Sequence, residues 1–227
     1  MPRTRRSCPH DHTAAVNGPP DPPPEKVPGY PVVLDLAGRR CLVVGGGPVA
    51  TRRAEGLVAS GGRVTVVAPH TVAAIDDNRS IEVAHRPYRR GEAADYLLVI
   101  TATGAPDVDR AVVDDATAAG VLVGSADQTT PGTIQLPAVH RDGPVTVAIS
   151  TGGASPGLAL WLRTRVASAL PGGVAVLADL VEETRRRLRR AGRPTDSVDW
   201  VAVLDEHVVP LVEAGRVDEA RALLDRL

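Results

Sequence analysis

From Tyr30 onward, short β-branched apolar runs alternate with stretches in which apolar residues recur at helical spacing. The run Cys41 to Val44 predicts a strand, Val49 to Val58 a helix, and "GGRVTVVAP" a second strand that closes a βαβ unit. Farther along, "IEVAHRPY" reads as a third strand and "DYLLVITAT" as a fourth, buried on both faces. "DVDRAVVDDATAAG" reads as a helix and "GVLVGSAD" as a fifth strand. Strands alternating with helices predict an α/β fold, a Rossmann-type, doubly wound parallel sheet.

The alternation then stops. "TIQLPAVHRDGPVTVAIST" holds two β-rich segments around Arg141, Asp142 and Gly143, which predicts a hairpin. In "GGASPGLALWLRTRVASALP", Ser155 is placed to cap a helix, Pro156 suits its first turn, and Leu158, Leu162 and Val166 can form an apolar face. A hairpin and helix outside the sheet need a partner surface, and the same elements of a second subunit would supply it, which predicts a homodimer. From Pro171 the chain reads as helices, including "VAVLADLVEETRRRLRRAG" and "VDEARALLDRL". The expected organisation is a leader at 1–28, an NAD-binding Rossmann domain at 29–131, a β-hairpin/helix dimerisation region at 132–170 and a small C-terminal helical domain at 171–227.

Composition narrows the class. At 227 residues and 43% hydrophobic content the chain can bury a core. Its apolar runs are strand-length, so no membrane span is expected, and basic "PRTRR" near the start lacks the apolar stretch of a secretory signal. Cys8 and Cys41 give no disulfide framework, and the expectation is a cytoplasmic protein. A net charge of −1 predicts no general affinity for nucleic acid. Residues 1–28, rich in proline and polar side chains, read as a disordered leader. Its Cys8, His10 and His12 are either incidental or a soft-metal site.

The candidate chemistry begins at "GGGPVA", which is either a dinucleotide turn or a flexible glycine loop. Gly45, Gly47 and Ala50 fit G-x-G-x-x-[GA]: the first glycine allows the turn, the second admits a pyrophosphate, and the small third residue lets helix and strand approach. The helix N-terminus offers unpaired N–H groups to phosphate. Gly46, Pro48 and Val49 complete this candidate cofactor segment. An acid that would read the adenosine ribose is replaced by Ala68, Pro69 and His70, and Arg52 or Arg53 offers a phosphate partner instead. Ligands of such sheets collect beyond the C-terminal strand ends, which places Thr101, Ala102 and Thr103, with Ser125, Ala126 and Asp127, around the same crevice.

In order, "VVGGGPVATRR", "VTVVAP", "LLVITAT", "SAD" and "LPAVHRDGPVTVAISTGGASPGLA" resemble the precorrin-2 dehydrogenase and sirohydrochlorin ferrochelatase family, the N-terminal module of sirohaem synthases. The resemblance spans about Tyr30 to Leu170 closely and the helical tail loosely. It implies NAD-dependent oxidation of precorrin-2 to sirohydrochlorin on the way to sirohaem, a homodimer, and in some relatives insertion of a divalent metal ion. In this chain Gly124, Ser125 and Ala126 precede Asp127 where the family often has an N-V-V-D segment, and the aromatic residue usual before "LPA" is replaced.

Dehydrogenation needs a hydride acceptor, which a nicotinamide supplies, and a base for the neighbouring proton, for which Asp127 is the candidate; no metal is required. Taken without the resemblance, Asp127 reads more readily as a turn or cap residue. Ser150, Thr151, Gly152, Gly153 and His140 are candidate tetrapyrrole contacts, with a tight turn and an interface histidine as the plainer readings. The arginines of "TRRRLRRAGR" either attract a polycarboxylate or form a solvated helix face. Two other functions fit the same residues: a tetrapyrrole chelatase without dehydrogenase activity, and a non-catalytic dinucleotide-binding regulator.

Overall fold

A computed structural model describes residues 29–126 and 130–227. The expected leader with Cys8, His10 and His12, and the expected base Asp127, lie outside the described residues.

Five parallel strands form the sheet, in the order β3-β2-β1-β4-β5. They are β1 (Arg40–Val44), β2 (Arg63–Ala68), β3 (Ile81–His85), β4 (Leu98–Thr101) and β5 (Leu122–Ser125). Alternate residues feed two cores. Cys41, Val43, Val64, Val66 and Ile100 pack with Ala50, Ala54 and Leu57 of α1 (Pro48–Ala59). Leu42, Val44, Val67, Val99 and Val123 pack on the other face with Val112, Val113 and Ala116, which belong to α3 (Pro106–Ala118). A sheet covered on both faces explains why its strands read as near-continuous apolar runs. A short α2 (Ala73–Asp76) lies between β2 and β3.

Strand order reverses between β1 and β4, since β2 and β3 lie to one side of β1 and β4 and β5 to the other. Such a reversal opens a crevice at the C-terminal strand ends. The outer edge of β5 is covered by its own continuation: Val123 N–H donates to Thr133 Oγ1 (3.0 Å) and Ile134 N–H to the Val123 carbonyl (3.1 Å). A Cβ at Gly132 would lie 2.1 Å from that carbonyl oxygen, so only glycine lets the segment run this close.

The expected hairpin is present as β6 (Ala138–Asp142) paired antiparallel with β7 (Val145–Ile149). Gly143 turns it with φ +53°, where a Cβ would also press within 2.7 Å of the Ala175 methyl. α4 (Pro156–Ala169) begins as the sequence predicts, with Ser155 Oγ accepting from Leu158 N–H and Pro156 at the first position. Within the single chain the expected face stays partly uncovered: Leu158 is 45% exposed and Leu162 and Val166 are half-buried, while Leu160 and Trp161 beside them are 51% and 55% exposed and Ala159 is enclosed.

The remaining helices are α5 (Val174–Arg190), α6 (Trp200–Val203), α7 (Val209–Glu213) and α8 (Val217–Leu224). Leu177, Leu180, Val208, Val212, Ala220 and Leu224 make their core. A widened turn, Leu204–Val208, joins α6 to α7. Pro210 follows it and has no N–H to return to the preceding turn, a common origin of such widening.

Candidate cofactor and substrate site

The glycine turn has three glycines for three different reasons. Gly45 has φ +132°, and a Cβ there would sit 2.3 Å from the Ala102 carbonyl oxygen. Gly46 faces the chain leaving β2: a Cβ would lie 1.9 Å from the His70 carbonyl oxygen, and Val72 N–H donates to the Gly46 carbonyl (2.9 Å). Gly47, the N-cap of α1, is extended (φ −92°, ψ −175°), and a Cβ there would meet nothing within 4 Å. The first two glycines are required by the protein itself; the third leaves open space.

That space lies at the start of α1. The first N–H groups of a helix lack intrahelical acceptors, Pro48 has no N–H, and α1 has no side-chain cap bond, so Val49 and Ala50 present their N–H groups beside Gly47. Ala50 is fully buried and brings helix and strand together. An open cradle at a positive helix end fits a dinucleotide pyrophosphate, with Gly47, Val49 and Ala50 as the residues that would hold it.

Across the strand reversal, Thr101, Ala102 and Thr103 line the opposite wall. Ala102 N–H donates to the Val44 carbonyl (2.8 Å), and Ala126 N–H to the Thr101 carbonyl (2.9 Å). Thr101 is fully buried, and its hydroxyl donates to Asp109, which also accepts from Thr103 N–H (3.2 Å) and Oγ1 (2.8 Å). Asp109 was not among the residues expected from the sequence. The signal was present, since Asp109, Val112, Val113 and Ala116 share one helix face and that face is buried.

Ala68 and Pro69 end β2 beside the Gly46 backbone. The next acid in the chain, Asp76, accepts from Thr71 Oγ1 (2.5 Å) and lies 3.6 Å from His85 Nε2. Arg53 on α1 is half-buried; burial first, and then the charge of Arg52, pull its guanidinium below its ordinary range.

The hydroxyl-rich turn before α4 is tied internally. Ser150 Oγ donates to Gln135 Oε1 (3.1 Å) and accepts from Gly152 N–H (3.3 Å), and Thr151 Oγ1 donates to the Ser155 carbonyl (3.2 Å). Gly152 and Gly153 both have positive φ. Through Gln135 the turn is linked to the segment running along β5. His140 stands elsewhere within the chain: it lines a cavity of about 470 Å³ with Arg141, Arg163 and Ser168. Arg141 reaches Ser60 Oγ (3.1 Å) just beyond the C-terminal end of α1. A helix of that length separates Ser60 from the glycine turn by about 18 Å.

Of the arginines on α5, Arg186 pairs with Glu182 (2.7 Å), and Arg187 donates to the Leu224 and Asp225 carbonyls at the end of α8 (2.5 and 2.6 Å). Arg193, just beyond α5, donates to the Leu227 carbonyl. These three are engaged within the helical region. No group of three or more potential metal ligands occurs among the described residues, and no single helix among them is long and apolar enough to cross a membrane.

A doubly wound parallel sheet with this glycine turn at its strand reversal defines a Rossmann-type NAD(P)-binding protein, and residues 32–138 match the family model described as putative NAD(P)-binding. Residues 142–169 match the model described as the central part of sirohaem biosynthesis proteins. The sirohaem synthase of Thioalkalivibrio sulfidiphilus is 36% identical over 202 residues, 87% of this chain and 41% of that protein. Siroheme synthase 1 of Halorhodospira halophila is 36% identical over 205 residues, 87% of this chain and 42% of that protein. The chain thus spans about two fifths of the length of these relatives. A solved structure titled SirC, precorrin-2 dehydrogenase, matches with a TM-score of 0.70 and 28% identity, over 88% of this chain and all of that one. The chain is thus similar to a precorrin-2 dehydrogenase over that protein's full length and to the corresponding part of the sirohaem synthases.

Proposed function

We propose that the protein is an NAD-dependent precorrin-2 dehydrogenase that forms sirohydrochlorin for sirohaem biosynthesis. One observation carries the reading: the chain matches the full length of a precorrin-2 dehydrogenase structure while the space at Gly47 stays open at the N-terminus of α1. NAD, rather than NADP, is the cofactor on the strength of the family resemblance. When bound, its nicotinamide takes up the two electrons and the hydrogen removed from the saturated carbon.

The chain's own groups divide the remaining work. Gly47, Val49 and Ala50 hold the pyrophosphate, and the Thr101–Thr103 turn closes the opposite wall. Asp127 takes the proton from the carbon next to the oxidised one. Its flanks favour this role: Ala126 is bonded to the Thr101 carbonyl at the end of β4, and Thr130, on the other side, is buried. Ser150 to Gly153 and His140 contact the tetrapyrrole. For a divalent metal ion as second substrate, the same carboxylate would accept the pyrrole protons.

Residues 29–131 serve as the dinucleotide domain, 132–170 as the dimer contact and 171–227 as a helical cap. The exposed Leu158, Leu160 and Trp161 of α4, with Val139 of β6, are the apolar surface that a second copy covers in a cytoplasmic homodimer.

Asp127→Asn tests the assignment. The variant keeps the side chain's size and removes the base, so oxidation of precorrin-2 falls by about two orders of magnitude while NAD affinity and thermal midpoint stay near wild type. Turnover within a few-fold of wild type would return Asp127 to a turn residue, and the base would have to be sought elsewhere.

A further inference from the structure

The wall opposite the glycine turn is held by a buried carboxylate. Asp109, in the first turn of α3, is 1% exposed. Its Oδ1 alone accepts the Thr101 hydroxyl, the Thr103 N–H and the Thr103 hydroxyl. The same Thr103 hydroxyl accepts Ala105 N–H (3.0 Å), so the chain from the end of β4 to the start of α3 is fixed around one oxygen atom. The turn so held presses directly on the glycine turn, because the Ala102 carbonyl occupies the place a Gly45 side chain would need. From its other side, the Thr101 carbonyl accepts Ala126 N–H, one residue before Asp127.

A carboxylate is an expensive way to fill this position. The neighbouring inward residues of α3 are Val112, Val113 and Ala116, and an apolar side chain would complete their face without desolvating a charge. What an apolar residue could not do is bind both threonines and the Thr103 N–H at once. Three donors converging on one carboxylate oxygen hold the turn more firmly than a single neutral hydrogen bond would.

We propose that Asp109 is a positioning residue for the dinucleotide: acting through Thr101 and Thr103, it sets the crevice wall opposite Gly45–Gly47 and so controls cofactor affinity without touching the cofactor. This rests on the reading that the dinucleotide lies at the glycine turn. Its action is confined to the cofactor side of the reaction. Losing it loosens the wall before the nicotinamide arrives, and binding must then reorder the turn.

Calorimetric titration of NAD into the full chain, with steady-state kinetics, tests this on wild type, Asp109→Asn, Asp109→Ala and Thr103→Val. The asparagine keeps the shape and an accepting oxygen but not the charge, and raises the Kd for NAD by about threefold to tenfold; the alanine raises it by more than about tenfold. The KM for NAD rises in parallel, kcat at saturating NAD falls by less than about threefold, and the KM for the tetrapyrrole does not move. Because Asp109 acts through Thr103, Asp109→Asn combined with Thr103→Val weakens binding by less than the product of the two single effects. If Asp109→Asn binds NAD as wild type does, the residue is structural and the proposal falls while the cofactor reading stands. A wild type that binds no dinucleotide overturns the cofactor reading and this proposal with it.

Discussion

Valine at position 47 separates what the fold needs from what the ligand needs. The Gly47 backbone is extended, at φ −92° and ψ −175°, which L side chains adopt freely, and a Cβ there meets no heavy atom within 4 Å. Replacing a glycine N-cap costs at most about 1 kcal/mol, which for a chain of this size is a fall of about 2–4 °C in thermal midpoint. In the cofactor complex the same side chain stands where backbone approaches pyrophosphate. A methyl-sized overlap in a close contact costs about 1–3 kcal/mol, and a displaced phosphate loses a charge-assisted hydrogen bond of about 1.5–3 kcal/mol. The expected loss of NAD affinity is therefore about 100-fold or more. Gly46→Ala is the opposite case: its Cβ would lie 1.9 Å from the His70 carbonyl oxygen, in a segment pinned by the bond from Val72 N–H to the Gly46 carbonyl. That variant loses stability by about 1–3 kcal/mol whether or not cofactor is present. Titration calorimetry and thermal melting of both variants decide the matter. If Gly47→Val binds NAD with wild-type affinity, the space at Gly47 is not the pyrophosphate site.

Acid sensitivity follows from two carboxylates that hold the β3–α3 region. For Glu92 and Asp115, burial pushes the pKa up, but Arg86 and the Arg89 N–H for Glu92, and the Gly91 N–H, Arg90 and Tyr88 for Asp115, outweigh it and hold both below the usual range. Folded values below the unfolded ones mean stability that is present above about pH 4 and lost as pH falls through the folded values. Asp115→Asn should therefore be less stable than wild type at pH 7, by a difference that shrinks as pH falls below about 4 in denaturant titrations; a difference that does not change with pH would contradict the assignment. Sedimentation at micromolar concentration should show wild type at twice the chain mass and Trp161→Asp as a single chain. A monomeric wild type would remove the dimer and leave the exposed face of α4 without its second copy.

The inner strands β1, β2 and β4 were legible because they are buried on both faces and read as nearly unbroken apolar runs, whereas the edge strand β3, with Glu82 and His85 exposed, showed itself by its β-rich run. Ser155 and Pro156 announced the start of α4 through local chemistry that no tertiary contact overrides. The segment along β5 was not legible. Thr133 and Ile134 pair with Val123 without strand periodicity, and the requirement for Gly132 comes from a carbonyl in another part of the chain. Gly46 was expected as part of the candidate cofactor segment, whereas the need for glycine there arises from the His70 carbonyl, a contact between loops. Asp109 was hidden by its own residue type: an acid in the first turn of a helix reads as a solvated dipole partner, and only the burial of its face reveals the turn it holds. The apolar residues of α4 were legible as a surface to be covered, but an apolar stripe does not say what covers it.

The central claim is the oxidation itself, and anaerobic incubation of the purified protein with enzymatically generated precorrin-2, with and without NAD, tests it most directly. The absorption spectrum should pass to that of sirohydrochlorin only when NAD is present, with about one NAD reduced per tetrapyrrole oxidised, as a two-electron transfer requires. Metal insertion into a supplied tetrapyrrole with no NAD-dependent oxidation would contradict the account in favour of a chelatase, and NAD binding with no change in the substrate spectrum would contradict it in favour of a dinucleotide-binding protein without catalysis.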